Sequence, residues 1–311
     1  MTKRPTLPPR LRKGDTLGLW CPAGPVRDAE RLRVGIKLVE DLGFAVKLRG
    51  PCTPGEGYLA DDDAQRAQYL HELWNDEEVK AVLAIRGGYG CLRMIGLLDW
   101  ELFRRRPKWL VGFSDVTVLL NTLMNHAGLV AIHGSMATTL ARSGEEGLTS
   151  LFGLLTGNFE ERIKARGLEV LRGGTGRGRL VGVNLTTLVH LLATPWESRF
   201  DDCILVLEDT GESLYRLDRM LTHLALAGRL DRLAGLILGD FDAGGDGLAN
   251  LRLQEAVWTR VLELAPPGYP IWARFPVGHQ ERNLALPIGM EAMMESAAGA
   301  LHLLTDSVAL G

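Results

Sequence analysis

The chain has 311 residues, 46% hydrophobic and 23% charged, a balance that gives a globular protein ample core in one large domain or two ordinary ones. A formal net charge of -3 leaves no footprint for nucleic acid, which selects clustered Lys and Arg, so the expected partner is a small or peptidic molecule. Cys21, Cys52, Cys91 and Cys203 form no Cys-x-x-Cys pair and have no histidine at ligand spacing, so they read as reduced thiols.

The stretch from Met1 to Asp15 is polar, without the apolar run of a signal peptide, and no segment approaches the roughly 18 uninterrupted apolar residues of a membrane span. A soluble, cytoplasmic protein with no membrane partner is expected. Beyond it, short apolar runs alternate with longer amphipathic segments, the pattern of βα units on a largely parallel sheet. Strands are predicted over Thr16 to Cys21, Phe44 to Leu48, Val79 to Ile85, Trp109 to Phe113 and Leu129 to Ile132. Helices are predicted from Arg27 to Leu42, where Leu32, Ile36, Val39 and Leu42 recur before Gly43, and from Asp61 to Trp74. The basic stretch Arg104 to Lys108 reads as a solvated edge.

Between Leu155 and Gly178 the periodicity fails and glycine accumulates, which divides the chain into a domain over 1–160, a linker over 161–175 and a second domain over 176–311. The second half is predicted to carry a helix from Asn184 to Leu192, a strand from Ile204 to Leu207, a helix from Leu214 to Leu226 and a strand from Leu233 to Leu238. From Ile271 to Leu304 it continues in short strands and turns.

Three places carry chemistry. In Leu110-Val111-Gly112-Phe113-Ser114-Asp115 an apolar strand runs into a glycine-flanked serine and then a helical pattern. Such a turn presents a nucleophilic serine beside the N–H groups of a helix start, although Ser-Asp after a strand is also an ordinary helix cap. Arg86-Gly87-Gly88-Tyr89-Gly90 ends another strand; lacking the Lys-Ser/Thr of a P-loop and a full G-x-G-x-x-G, it fits carboxylate or oxyanion recognition better than nucleotide binding. Glu208 continues the aliphatic run Ile204 to Leu207, so it is expected to be partly buried and to need a partner. His279, in a glycine-bearing turn, is the natural candidate, with His133 at a strand end as the rival. His71, His126, His190, His223 and His302 lie in helical or strand patterns that suit packing or surface roles. Without an H-E-x-x-H or comparable cluster, no metal is expected.

In order along the chain, these segments resemble the LD-carboxypeptidase family of serine peptidases, which includes murein tetrapeptide carboxypeptidases and microcin-immunity peptidases. The matching pieces are Trp20-Cys21-Pro22-Ala23-Gly24-Pro25, Arg86 to Gly90, Gly112-Phe113-Ser114-Asp115, Ile132-His133-Gly134, Asn184-Leu185, Thr194-Pro195-Trp196, Leu207-Glu208-Asp209 with Tyr215 to Arg219, and Gly278-His279 with Arg282. The resemblance implies an α/β protein with an N-terminal Rossmann-like domain on a largely parallel sheet and a smaller C-terminal α/β domain, the active site lying between them. It implies Ser114 as nucleophile, His279 as general base and then acid, Glu208 as the residue orienting His279, and the backbone N–H groups of Gly88 and Asp115 as the oxyanion hole. Arg86 and Gly87 are the candidates for holding substrate, Arg86 for its terminal carboxylate. No cofactor is implied, and a homodimer is.

The chain departs from the family pattern at Ala23, where serine is usual, at Ser135, where His-Gly-Pro-Met is common, and at Val183, where Gly-Gly-Asn is frequent. These departures bear on the shape of the substrate pocket. The expected activity is hydrolysis of an L,D amide at the C-terminus of a murein-derived peptide, releasing D-Ala. The alternative is a microcin-type immunity peptidase acting on an aminoacyl-nucleotide amide, whose extra loop sequence is not found here.

Overall fold

The computed structural model describes residues 4–52, 57–158, 162–245 and 247–310. The chain is a mixed α/β protein of two compact units. The first gathers Met1–Phe159 with two later pieces, Glu281–Gly289 and Val308–Gly311. Its six-stranded sheet has the spatial order Leu286–Ile288, Ala131–His133, Trp109–Gly112, Val79–Ala84, Thr16–Trp20, Ala45–Arg49. All neighbours are parallel except Leu286–Ile288, which runs antiparallel to Ala131–His133. Strands covered on both faces read as unbroken apolar runs, and Trp109–Gly112 is buried along its whole length. The helices Ala29–Asp41 and Asp63–Asn75 start where Asp28 and Asp62 accept the N–H groups of Arg31 and Gln65.

Strand order reverses at Thr16–Trp20, with the next strand in sequence on one side and Val79–Ala84 on the other. Ligands of open α/β sheets collect outside the carboxyl ends of strands at such a reversal. The turn after Trp20 and the glycine loop at Arg86 leave the sheet there, and Ser114 follows the carboxyl end of the adjacent strand, Trp109–Gly112.

The second unit comprises Glu160–Gln280 and Met290–Ser307. Its eight-stranded sheet runs Arg162–Lys164, Ala300–Leu303, Glu291–Glu295, Thr175–Asn184, Cys203–Thr210, Gly235–Asp242, Ile271–Ala273, Glu169–Arg172. Thr175–Asn184 through Ile271–Ala273 are parallel and the flanking strands antiparallel. Leu205, Leu207, Leu236 and Leu238 share a core with Leu217, Leu221 and Leu224 of the helix Leu214–Leu226 and with Val257 and Val261 of the helix Gly247–Leu264. Each such buried side chain contributes about 1.5–3 kcal/mol.

The domain limits differ from the sequence expectation. The boundary at 160/161 falls outside the described residues, but the stretch 161–175 is no plain linker, since it supplies the strands Arg162–Lys164 and Glu169–Arg172. The glycines that suggested a linker enter the strand Thr175–Asn184 because other backbone passes close by. A Cβ on Gly176 would lie 1.9 Å from Ala234 O, and one on Gly178 2.3 Å from Asp202 O. Nor does 176–311 form one piece, because Leu286 pairs with His133 and Ala309 with Thr6 in the first unit. The helix Gly247–Leu264 goes unpredicted: exposed Leu248, Leu251 and Leu262 blur its apolar stripe. Among the described residues, no helix is long and apolar enough to cross a membrane.

Candidate active site

Ser114 has φ 61°, in the left-handed region that non-glycine residues seldom occupy. The strand Trp109–Gly112 ends, Phe113 is extended, and the chain turns at once into the helical turn Ser114–Val116 and the helix Thr117–Thr122. An N-cap serine would instead have an extended backbone. Gly112 permits the turn, since a Cβ there would lie 2.7 Å from Val116 Cγ1. The left-handed conformation costs roughly 1–2 kcal/mol, and strain of this kind gathers at functional sites.

The glycine loop packs against this turn. A Cβ on Gly87 would lie 3.0 Å from Ser114 Cβ and 3.1 Å from its Oγ. Gly88 and Gly90, at φ 125° and 143°, adopt conformations that glycine alone enters freely. Arg86 folds back over the opening turn and donates from Nη1 to Pro25 O at 2.8 Å, while Gly24 N donates to Gly87 O at 3.2 Å. Burial, and then the neighbouring Arg27, push the Arg86 pKa down. Among the described residues no carboxylate forms an ion pair with Arg86, so a carboxylate ligand would answer a cation that the fold leaves unneutralised.

In the second unit, Glu208 stands near the carboxyl end of Cys203–Thr210, where the ladder shifts register between Leu207 and Asp209. Its side chain is 0% exposed, and Oε2 lies 2.8 Å from Nδ1 of His279, whose side chain is 23% exposed. Asn184 Nδ2 donates to the other oxygen, Oε1, at 3.2 Å, so the buried carboxylate is satisfied on both sides. With Nδ1–H held by Glu208, the neutral imidazole presents the lone pair of Nε2. Gly278, at φ 118°, makes the approach possible, because a Cβ there would lie 2.6 Å from Glu208 Oε2.

Burial opposes the charged form of His279, but the Glu208 carboxylate, with Asp209 and Asp240 further out, outweighs it and holds the imidazole pKa above its ordinary value. Desolvation pushes Asp209 up to about 6 against the bonds it accepts from Thr186 N and Oγ1 at 2.8 and 2.7 Å. Burial, and then the charge of Asp242, raise Asp240, which accepts from Gln254 Nε2 at 2.8 Å.

The rival His133 is fully buried, with Nε2 3.0 Å from Asn283 Oδ1 and the Phe113 ring edge-on at 5.9 Å. In the sequence Asn184 stands as the start of a predicted helix and a piece of the family pattern; here its Nδ2 bridges Glu208 and Asp209 while its Oδ1 caps the helix Leu185–Val189 through Thr187 N. The signal was its place between a strand and a helix, which reads as a cap and gives no hint of the carboxylates. Ser135 is buried and hydrogen-bonded to Ser143, Ala23 is wholly buried, and Val183 occupies φ 135°. Among the described residues no group of three or more His, Cys, Asp and Glu could hold a metal ion.

A family model described as the LD-carboxypeptidase N-terminal domain matches residues 17–134, and one described as the LD-carboxypeptidase C-terminal domain matches residues 177–294. A protein named "Probable murein peptide carboxypeptidase" from Bacillus subtilis (strain 168) is 35% identical over 301 residues, 93% of this chain and 92% of its own. The murein tetrapeptide carboxypeptidase of Pseudomonas aeruginosa is 34% identical over 254 residues, 76% of this chain and 80% of its own. The solved structure of an MccF-like protein from Bacillus anthracis str. Ames superposes with a TM-score of 0.85 at 25% identity, covering 96% of this chain and 99% of that one.

Proposed function

Because the chain belongs to the LD-carboxypeptidase family and is a serine-type carboxypeptidase, we propose that it hydrolyses the L,D amide at the C-terminus of a murein-derived peptide and releases D-Ala. The observation that carries the chemistry is the buried Glu208 Oε2 to His279 Nδ1 bond of 2.8 Å, the orienting half of a serine-hydrolase triad. In this reading Ser114 Oγ attacks the carbonyl carbon as His279 Nε2 takes its proton. The N–H groups of Gly88 and Asp115 hold the oxyanion, and the imidazolium returns the proton to the departing amine of the D-residue. Water, activated by the same imidazole, then cleaves the acyl-enzyme ester.

The substrate class rests on relatives of 34% and 35% identity that carry murein-peptidase names, against 25% for the MccF-like neighbour. That neighbour favours a second reading, since MccF is a microcin C7 self-immunity protein: cleavage of an aminoacyl-nucleotide amide. Turnover of a murein tetrapeptide measured beside an acyl-sulfamoyl nucleotide tests the choice. D-Ala release with no nucleotide turnover supports the first reading, and the reverse result replaces it. The proposal includes a role in peptidoglycan recycling by a cytoplasmic homodimer, which sedimentation and cell fractionation would check.

A further inference from the structure

The two oxyanion donors assigned above come from separate segments. Gly88 N belongs to the loop after Val79–Ala84, and Asp115 N to the turn after Trp109–Gly112. The ladder between these strands runs from Ala81↔Trp109 to Leu83↔Val111 and stops there. Past Val111 and Leu83, something other than sheet pairing must set the spacing of the donors.

The Asp115 side chain reaches from one segment to the other. It is 3% exposed, and its Oδ2 accepts from Cys91 N at 2.8 Å. Cys91 opens the helix Cys91–Met94, whose capping position is Gly90 and so has no side chain to offer. Asp115 supplies, from a different strand's turn, the acceptor that a capping side chain would have provided. On its other side the loop is backed by Arg66, a fully buried side chain that is itself fixed by donating to Pro22 O, Asp61 O and Asp63 Oδ1. A Cβ on Gly90 would lie 2.7 Å from Arg66 Nη1, so the loop has little room to shift toward that side.

We propose that the Asp115 carboxylate is a positioning residue, tying the glycine loop to the serine turn so that the N–H groups of Gly88 and Asp115 keep one spacing; this rests on the assignment of Ser114 and those donors made above. The charge itself works against catalysis, because a carboxylate near a developing oxyanion raises the energy of the transition state. Two effects of opposite sign therefore compete at this residue. If the carboxylate were merely tolerated, Asp115→Ala would remove the opposing charge and leave turnover equal or faster. If it holds the loop, Asp115→Ala leaves Cys91 N–H without its acceptor, loosens the loop and slows turnover, whereas Asp115→Asn can turn its Oδ1 to Cys91 N–H and keep the tie.

The test is kcat and KM of Asp115→Asn and Asp115→Ala, expressed per active site counted by end-point labelling with an aryl fluorophosphonate. The expected result for Asp115→Ala is a fall in kcat of about 100-fold, as for a misplacement of an ångström, with KM within about threefold, a parallel fall in the labelling rate, and recovery toward wild type in Asp115→Asn. An Asp115→Ala kcat per site at or above wild type, or an Asp115→Asn kcat no better than that of Asp115→Ala, overturns the proposal, whether or not the variants are less stable. The serine assignment is read separately. Failure of the probe to label Ser114 in the wild-type protein, or full activity of Ser114→Ala, would remove that assignment and this inference with it.

Discussion

Glu208 Oε2 lies 2.8 Å from His279 Nδ1, with the carboxylate wholly buried and the imidazole partly open to solvent. Against the burial that opposes it, the carboxylate raises the imidazole pKa above the ordinary 6.5. A general base works only when unprotonated, so kcat/KM should rise with pH with an apparent pKa above 6.5. Glu208→Gln should shift this limb downward and cost about a thousand-fold or more in kcat, because the amide no longer fixes the tautomer. An acid limb that stays in place in Glu208→Gln would contradict the pairing. The stability linkage runs the opposite way with pH. A raised folded-state pKa adds stability that is complete below the unfolded value and is lost as pH rises through the folded one.

Ser114 bears on both activity and stability. Ser114→Ala and Ser114→Gly should each abolish turnover and retain substrate binding, since the hydroxyl acts mainly in the transition state. At φ 61°, glycine is relieved of strain that alanine keeps, so Ser114→Gly should be more stable than Ser114→Ala by about 1 kcal/mol. Urea denaturation of the two variants measures the difference. Glycine less stable than alanine would show that the left-handed backbone is not strained.

Gly278 lets the Glu208 to His279 bond form. In Gly278→Ala the new Cβ would lie 2.6 Å from Glu208 Oε2 and 3.0 Å from its Cβ, at φ 118°. A buried carboxylate pushed off its partners costs about 1–3 kcal/mol, before any backbone strain. Gly278→Ala should therefore lose activity nearly as far as Glu208→Ala and melt at lower temperature. Near-normal kcat in a folded Gly278→Ala enzyme would count against Glu208 as the orienting residue.

Elements with one clear period were legible in the sequence. The helix Leu214–Leu226 has the predicted limits, and Trp109–Gly112 and Val79–Ala84 each end one residue short of them. The candidate site residues that the sequence marks locally are side chains at strand ends, Ser114 and Glu208, because an apolar run that stops at a polar residue is a local signal. What escaped depends on distant backbone. Gly176 and Gly178 belong to the glycine-rich stretch that reads as a domain boundary, yet they are small because Ala234 O and Asp202 O press on them. Asn184 reads as a helix cap, and nothing nearby in sequence tells that two carboxylates share its amide. Val183 was noticed only as a missing glycine, and φ 135° explains why glycine suits that position.

The enzyme should demand a free C-terminal carboxylate on a D-residue. A carboxypeptidase must read a chain end, and a cation or a set of N–H groups is the direct means of reading a carboxylate. Arg86 fits that task, with no ion-pair partner among the described residues and its Nη2 3.7 Å from where a Cβ on Gly88 would stand. Amidation of the substrate terminus removes the charge and leaves those donors poorly matched, at a cost on the order of 2–3 kcal/mol, or roughly thirty-fold to a hundred-fold in kcat/KM. Inverting the D-centre should cost as much or more, because its methyl and carboxylate exchange places against a fixed oxyanion hole. Arg86→Ala should erase the preference for carboxylate over amide and leave the preference for D over L. Matched peptides ending in D-Ala, D-Ala-amide and L-Ala decide the matter on the wild-type enzyme and on Arg86→Ala. Equal rates on all three with the wild type would make the D-specific exopeptidase reading untenable while sparing the serine chemistry, and an undiminished carboxylate preference in Arg86→Ala would move that role to another residue.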